Sequence, residues 1–215
     1  MPNPKLVLEM FASGFWNTLW LSLASFAVAL VLGAILAMMH VSPAPPARWA
    51  AQAYTAFFRN TPLLVILILF GFGLPKLAID LEPWQWALIG LGMYTSAFVG
   101  ETLRSGINSI SLGQAEAARS IGLTFGQSLR HVILPQAVRT VIPPLGTLYT
   151  ALVKNTALTL VIGFQELAAK TERMINQDMA PVWVVVVGII ACYLIINLPT
   201  SWFISRAEKR AAFAR

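Results

Sequence analysis

Charge is scarce in this chain. Only 11% of its 215 residues are Asp, Glu, Lys or Arg, while 57% are hydrophobic. So few charges cannot cover the surface of a soluble domain of this length. Cysteine is nearly absent too. Cys192 stands alone, which rules out an intrachain disulfide and leaves it to pack as a small apolar residue. The two histidines, His40 and His131, lie far apart without a metal-ligand spacing. No Gly-x-x-x-x-Gly-Lys-Ser/Thr run occurs, so the chain has no P-loop with which to hydrolyse ATP. Gly-x-Ser-x-Gly and His-Glu-x-x-His are missing as well. No repeat at a fixed period is visible, and no cleavable leader is expected, because the first apolar run is too long for a signal segment.

What is plentiful is apolar sequence in long blocks. A hydrocarbon layer about 30 Å thick takes roughly 20 helical residues at about 1.5 Å each. Five blocks reach that length, at about 14–39, 53–74, 84–107, 137–163 and 182–204. Barrel strands would alternate over shorter segments. The expected fold is therefore an all-α integral membrane protein, one domain over residues 1–215, with five transmembrane helices. Ser42-Pro43-Ala44-Pro45-Pro46 reads as a rigid connector. Arg59-Asn60-Thr61-Pro62 interrupts the second block, so a helix is expected to restart near Pro62, and Pro75 to close it. The polar stretch 165–181 has room for a short helix. Trp16, Trp20, Trp49, Trp84, Trp86, Trp183 and Trp202 mostly fall near the expected span ends, as in an aromatic belt.

The net charge is +6, but its distribution points to topology rather than to nucleic acid. Arg48, Arg59, Arg104, Arg119, Arg130, Arg139, Arg206, Lys209, Arg210 and Arg215 fall on one side of the expected spans. The other side holds Lys5, Lys76, Lys170 and Arg173, diluted by Glu9, Asp80, Glu82, Glu166, Glu172 and Asp178. The positive-inside rule then puts the N-terminus outside and the C-terminus in the cytoplasm.

The loop at 108–136 is the longest on the basic side. Ser111-Leu112-Gly113-Gln114 reads as a capping box, and so does Thr124-Phe125-Gly126-Gln127. Gly122 suits a helix end that needs positive φ. A short helix is expected over 112–121, then a sharp turn, then a second helix from Phe125 toward Pro135. Ala115, Ala118 and Ile121 would share one face of the first helix, with Glu116, Arg119 and Ser120 elsewhere. Such a knob fits a partner's groove, although the spacing alone serves a plain connector equally well. Inside the spans, Glu101 and Arg104 are three apart and can pair on one face. Lys154 sits well inside the fourth block, where a charge costs about 3 kcal/mol and must face water or protein. A structural partner such as Glu101 and a role in a pathway remain equal readings of it. Pro143-Pro144 with Gly146 is expected to kink or break the fourth helix.

Gly113-Gln114-Ala115-Glu116-Ala117-Ala118, then Gly122, then Val132-Ile133-Leu134-Pro135, resembles the EAA loop of bacterial ABC importer permeases. Arg59-Asn60-Thr61-Pro62-Leu63-Leu64 resembles the Arg-Gly-Thr-Pro-Leu signature of the polar amino-acid branch. Ala97-Phe98 with Glu101, Arg104 and Ile107, Pro135-Gln136-Ala137, Pro143-Pro144, Lys154-Asn155-Thr156, and Thr18, Leu21-Ser22 and Gly33 extend the likeness over nearly the whole chain. It implies a type I ABC importer permease in a bacterial inner membrane. The loop would then be a coupling helix, with Gly113, Gln114, Ala115, Glu116, Ala117, Ala118 and Gly122 meeting the ATPase. Lys154, Asn155, Thr156, Glu101 and Arg104 would lie by the substrate pathway. Implied partners are two copies of an ATPase, which bind ATP–Mg, a second permease subunit (identical or related), a solute-binding protein outside, the lipid bilayer and the substrate. No cofactor belongs to this chain. Asn155-Thr156-Ala157 stands where many members have Asp-Thr-Ser, and Thr147 where Asn is common. These departures bear on substrate choice; Lys154-Asn155 with the small hydroxyl residues after it, then Gly163-Phe164-Gln165-Glu166-Leu167, resembles permeases for glutamate, aspartate or a broad set of amino acids, so acidic substrates are expected first and polar or cationic ones behind. An ion-gradient-driven secondary transporter is the rival, but it would usually show internal repeats and intramembrane acids.

Overall fold

The first helix begins ten residues before its apolar block. In the computed structural model, which describes residues 4–212, with side chains at all of these except 115, 125, 129, 134 and 207–212, α1 spans Pro4–His40. Lys5 and Glu9 lower the hydropathy of its first turns without ending the helix. Met10 is buried there against Met174 and Val185, so packing sets this end.

The second block is not one straight helix. α2 covers Pro45–Asn60. α3 covers Leu63–Ile68 and runs on as a π turn, Leu69–Gly73, and a 3-10 turn, Leu74–Leu77. The two halves bend by 104°. The cause is Pro62, which has no amide proton and disfavours helix at the residue before it; Thr61 is extended at φ −106°, ψ 131°. The restart expected at Pro62 is therefore present. Pro75 does not close the segment; the chain turns at Ala78, with φ 62°.

α4, Pro83–Asn108, is the centre of the bundle. It buries Leu91, Ala97 and Val99 completely and lies along α1. Small residues bring the two backbones together. A Cβ on Gly33 would sit 2.5 Å from Val99 Cγ1, and one on Gly100 would sit 3.0 Å from Leu36 Cβ. Close approach of this kind is what holds helices together where lipid is as apolar as the side chains. Three helical stretches among the described residues are long and apolar enough to cross a membrane, and the bent pair makes a fourth. α4 has the length, at 26 residues, but not the hydropathy, and its middle, from Trp86 to Gly100, is mostly buried in the bundle.

After α4 come α5, Leu112–Ser120, and α6, Phe125–Ser128, which passes through a π turn, Leu129–Ile133, into α7, Leu134–Asn155. α7 runs unbroken through Pro143 and Pro144, contrary to the expected break. The Thr147 hydroxyl donates to the Pro143 carbonyl at 3.4 Å, whereas the carbonyls that the two prolines deprive of a helical amide are those of Arg139 and Thr140. The change comes later, as a 3-10 segment over Thr156–Ile162 that ends at Gly163 with φ 86°. The polar stretch beyond holds α8, Leu167–Asn176, and α9 covers Val182–Ala212. Leu21, Leu67, Trp86, Leu91, Leu152 and Phe164 form the main core among α1, α3, α4, α7 and the loop after it. No strand occurs among the described residues.

Candidate functional site

α5 stands between α4 and α7 and is barely covered. Ala118 is 3% exposed, but Leu112 is 82% and Ile121 78% exposed. Glu116, Ala117 and Arg119 also face outward. So the expected shared face of Ala115, Ala118 and Ile121 does not hold: Ala118 packs inward, Ile121 does not, and the Ala115 side chain lies outside the described ones. Exposed Leu and Ile at both ends of a nine-residue helix are what a partner's groove would bury.

The turns around α5 are built locally. Gly122 has φ 85°. Its amide donates to the Arg119 carbonyl at 2.9 Å and the Leu123 amide to the Ala118 carbonyl at 3.1 Å, the paired bonds of a Schellman end. The second capping box forms: the Thr124 amide donates to Gln127 Oε1 at 2.9 Å and the Gln127 amide to Thr124 Oγ1 at 3.4 Å. The first does not, since Ser111 caps α5 without a side-chain bond. Gln114 instead accepts from Gln136 Nε2 at 3.4 Å, tying α5 to the start of α7. A cap bond gives way there to a contact between helices. Nothing lies within 4 Å of a Cβ built on Gly113 or Gly122.

The other sequence-selected residues divide between places. Arg104 Nη2 and Nε both donate to Glu101, the latter at 3.3 Å. The expected pair is thus formed. Glu101 is therefore engaged on α4 and is not the partner of Lys154. Lys154 is exposed near the end of α7, Asn155 is half-buried, and Thr156 is fully buried with its hydroxyl on the Val153 carbonyl at 2.7 Å. These three do not form one surface. Thr147, Thr150 and Lys154, spaced i, i+3 and i+7, share a helix face instead.

Glu166 was read from sequence as one of the outer acidic residues. It is fully buried. Its carboxylate accepts from the Ala168 and Ala169 amides at 2.9 and 2.8 Å, capping α8. It also accepts from the Thr18 hydroxyl of α1 and the Tyr193 hydroxyl of α9, each at 3.4 Å. Burial pushes this carboxyl, which lies between the fourth and fifth blocks, above its ordinary range, and the two amides and two hydroxyls oppose the shift. Next to it, Asn17 Nδ2 donates to the Gln165 carbonyl at 2.7 Å. One acid thus ties three helices together near the 163–167 loop. The signal that could have found it is an acid just before an expected helix start, favoured by the helix dipole.

A family profile described as "Binding-protein-dependent transport system inner membrane component" matches residues 29–212. The chain is 39% identical over 202 residues to the probable glutamine ABC transporter permease protein GlnM of Bacillus subtilis (strain 168), covering 94% of this chain and 93% of that one. It is 38% identical over 210 residues to the glutamate transport system permease protein GluC of Corynebacterium glutamicum, covering 92% of each. A solved structure described as an amino acid ABC transporter with histidines superposes with a TM-score of 0.87 at 32% identity, covering 94% of both chains. The chain belongs to the family of inner-membrane components of binding-protein-dependent transport systems.

Proposed function

We propose that this chain is the membrane-spanning permease subunit of an ATP-driven importer for polar amino acids, with glutamate or aspartate favoured, and that the whole chain acts as one unit. α5 carries the reading. It is a short helix with a capped turn behind it, and Leu112 and Ile121 stand uncovered at its ends. Burying both in the groove of an ATPase subunit would contribute about 1.5–3 kcal/mol for each side chain. Closure of two ATPase subunits would then move α5, and the Gln114–Gln136 contact would pass the movement to α7.

α7 supplies the second part. Lys154 is a cation on a membrane helix, exposed in the single chain. Lipid does not tolerate it there, so that face must meet water or another subunit. A second permease subunit, identical or related, would place the Thr147–Lys154 faces around a shared path, where a cation suits a carboxylate-bearing substrate. The names of the glutamine and glutamate relatives support this class. α1, the α2–α3 bend, α4, α7 and α9 give five crossings, with the N-terminus outside, the C-terminus in the cytoplasm and α8 outside, where a solute-binding protein would dock. Transport also requires that the ATPase favour one bundle arrangement over the other.

The test replaces Leu112 and Ile121 with Asp. Co-purification of the ATPase should fall at least about tenfold while the permease still inserts. Undiminished co-purification would remove α5 as the contact. Reconstituting the assembly with its binding protein and asking which amino acid stimulates ATP hydrolysis identifies the substrate.

A further inference from the structure

Two adjoining cavities, of about 410 and 650 Å³, share Arg59, Phe98 and Glu101. The smaller lies between α4 and α7, beside Thr140. The larger lies between α2, α4 and the end of α1, beside His40 and Arg104. Three basic side chains thus surround one carboxylate. Arg104 is committed to Glu101, and His40 Nε2 lies 3.1 Å from the Thr55 hydroxyl. Among the described residues Arg59 forms no ion pair; its guanidinium stands 5.7 Å from the centre of the Phe98 ring. Its charge is left over in an otherwise balanced cleft.

The position of Arg59 says what that charge is for. It lies next to the last residue of α2, at the 104° bend into α3. Behind it α2 is polar and amphipathic and carries the exposed Trp49, the kind of residue that marks a membrane–water boundary. Ahead of it α3 exposes Leu64, Val65 and Ile68. The cleft therefore offers a cation at the bend where the polar half of this segment gives way to the apolar half, whose residues line neither cavity. A soluble zwitterion has no use for an apolar surface beginning so few residues past its site, whereas an amphiphile has. We propose that the Arg59 cleft holds the phosphate of an anionic phospholipid headgroup, with the acyl chains along α3. Basic pockets between membrane helices on the cytoplasmic side take such headgroups, and guanidinium binds phosphate through two parallel hydrogen bonds. The inference uses the chain's membrane setting and nothing about what it transports.

Native mass spectrometry of the purified full assembly, supplied with phosphatidylglycerol or phosphatidylcholine, tests it. The wild-type assembly should retain phosphatidylglycerol in preference to phosphatidylcholine. Arg59→Gln should lower that retention about tenfold, while Arg59→Lys retains part of it. Arg48→Gln should change nothing, because Arg48 is occupied by the Ser42 and Pro43 carbonyls at 2.9 and 3.0 Å. Salt gives the same answer without a variant: raising it from about 0.05 to 0.5 M should strip phosphatidylglycerol and leave phosphatidylcholine unaffected. Equal retention of the two lipids, retention indifferent to both Arg59 and salt, or complete displacement by millimolar free phosphate or glutamate would overturn the proposal. None of these readouts depends on uptake, so a failure here leaves the importer reading standing.

Discussion

Gly106 faces α7 from the last turn of α4, just before the chain leaves for α5. A Cβ built there falls 2.0 Å from Val141 Cγ1, 3.4 Å from Thr140 Oγ1 and 3.5 Å from Val141 Cβ. Ordinary carbon contacts lie at about 3.5–4.0 Å, so Gly106→Ala overlaps Val141 by roughly 1.5 Å. Val141 is buried and β-branched on a helix, where one χ1 rotamer dominates, so it cannot swing aside cheaply. Overpacking of this size costs about 1–3 kcal/mol. The gain in helix propensity returns about 0.9 kcal/mol, leaving a net loss of about 2 kcal/mol at the severe end. Val141→Ala alone should lose about 1–1.5 kcal/mol through the missing methyls. The double variant removes the clashing atom and leaves two Cβ atoms 3.5 Å apart. It should therefore return to within about 1 kcal/mol of the parent, a coupling of about 2 kcal/mol, within the range seen for residues in contact. Unfolding midpoints of the detergent-solubilised single and double variants measure this. If the double is as unstable as the sum of the singles, to within about 0.5 kcal/mol, the close approach of α4 and α7 is not as described.

Three further outcomes are expected. Glu166→Ala should cost about 2–4 kcal/mol, by uncapping α8 and stranding the Thr18 and Tyr193 hydroxyls, whereas Glu166→Gln keeps an acceptor and loses less; thermal unfolding of the two variants separates them. Lys154→Met should lower uptake roughly tenfold without altering assembly, and wild-type uptake kinetics in that variant would take Lys154 off the pathway. Glu116→Lys should weaken ATPase co-purification about tenfold while membrane insertion is preserved, as read by the amount of ATPase carried through purification.

Local punctuation was legible in the sequence, and long-range commitments were not. Gly122 had to be a left-handed stop and Pro62 had to be a helix start, because each residue's own backbone chemistry decides the matter. The box at Thr124–Gln127 formed because both of its partners lie within one helical turn. The one at Ser111–Gln114 did not, because Gln136 arrives from a helix twenty-two residues away. The prolines of α7 predict a break because their cost is local, while the contacts of α7 with α4 and α9 are long-range. Glu166 was hidden for the opposite reason. An acid in a polar loop reads as solvated, and only the arrival of α1 and α9 turns it into a buried junction. The likeness to a family motif groups Lys154, Asn155 and Thr156, but a helix places neighbours about 100° apart, so one is exposed and another buried.

The modest hydropathy of α4 reaches beyond packing, to how the chain is made. A segment that lipid alone would not welcome cannot partition from the translocon as an independent unit. Its glycine-lined side has to find the matching side of α1 during synthesis, so the nascent chain must keep its first helix close by until the later one emerges. Folding and integration would then be a single event for this pair.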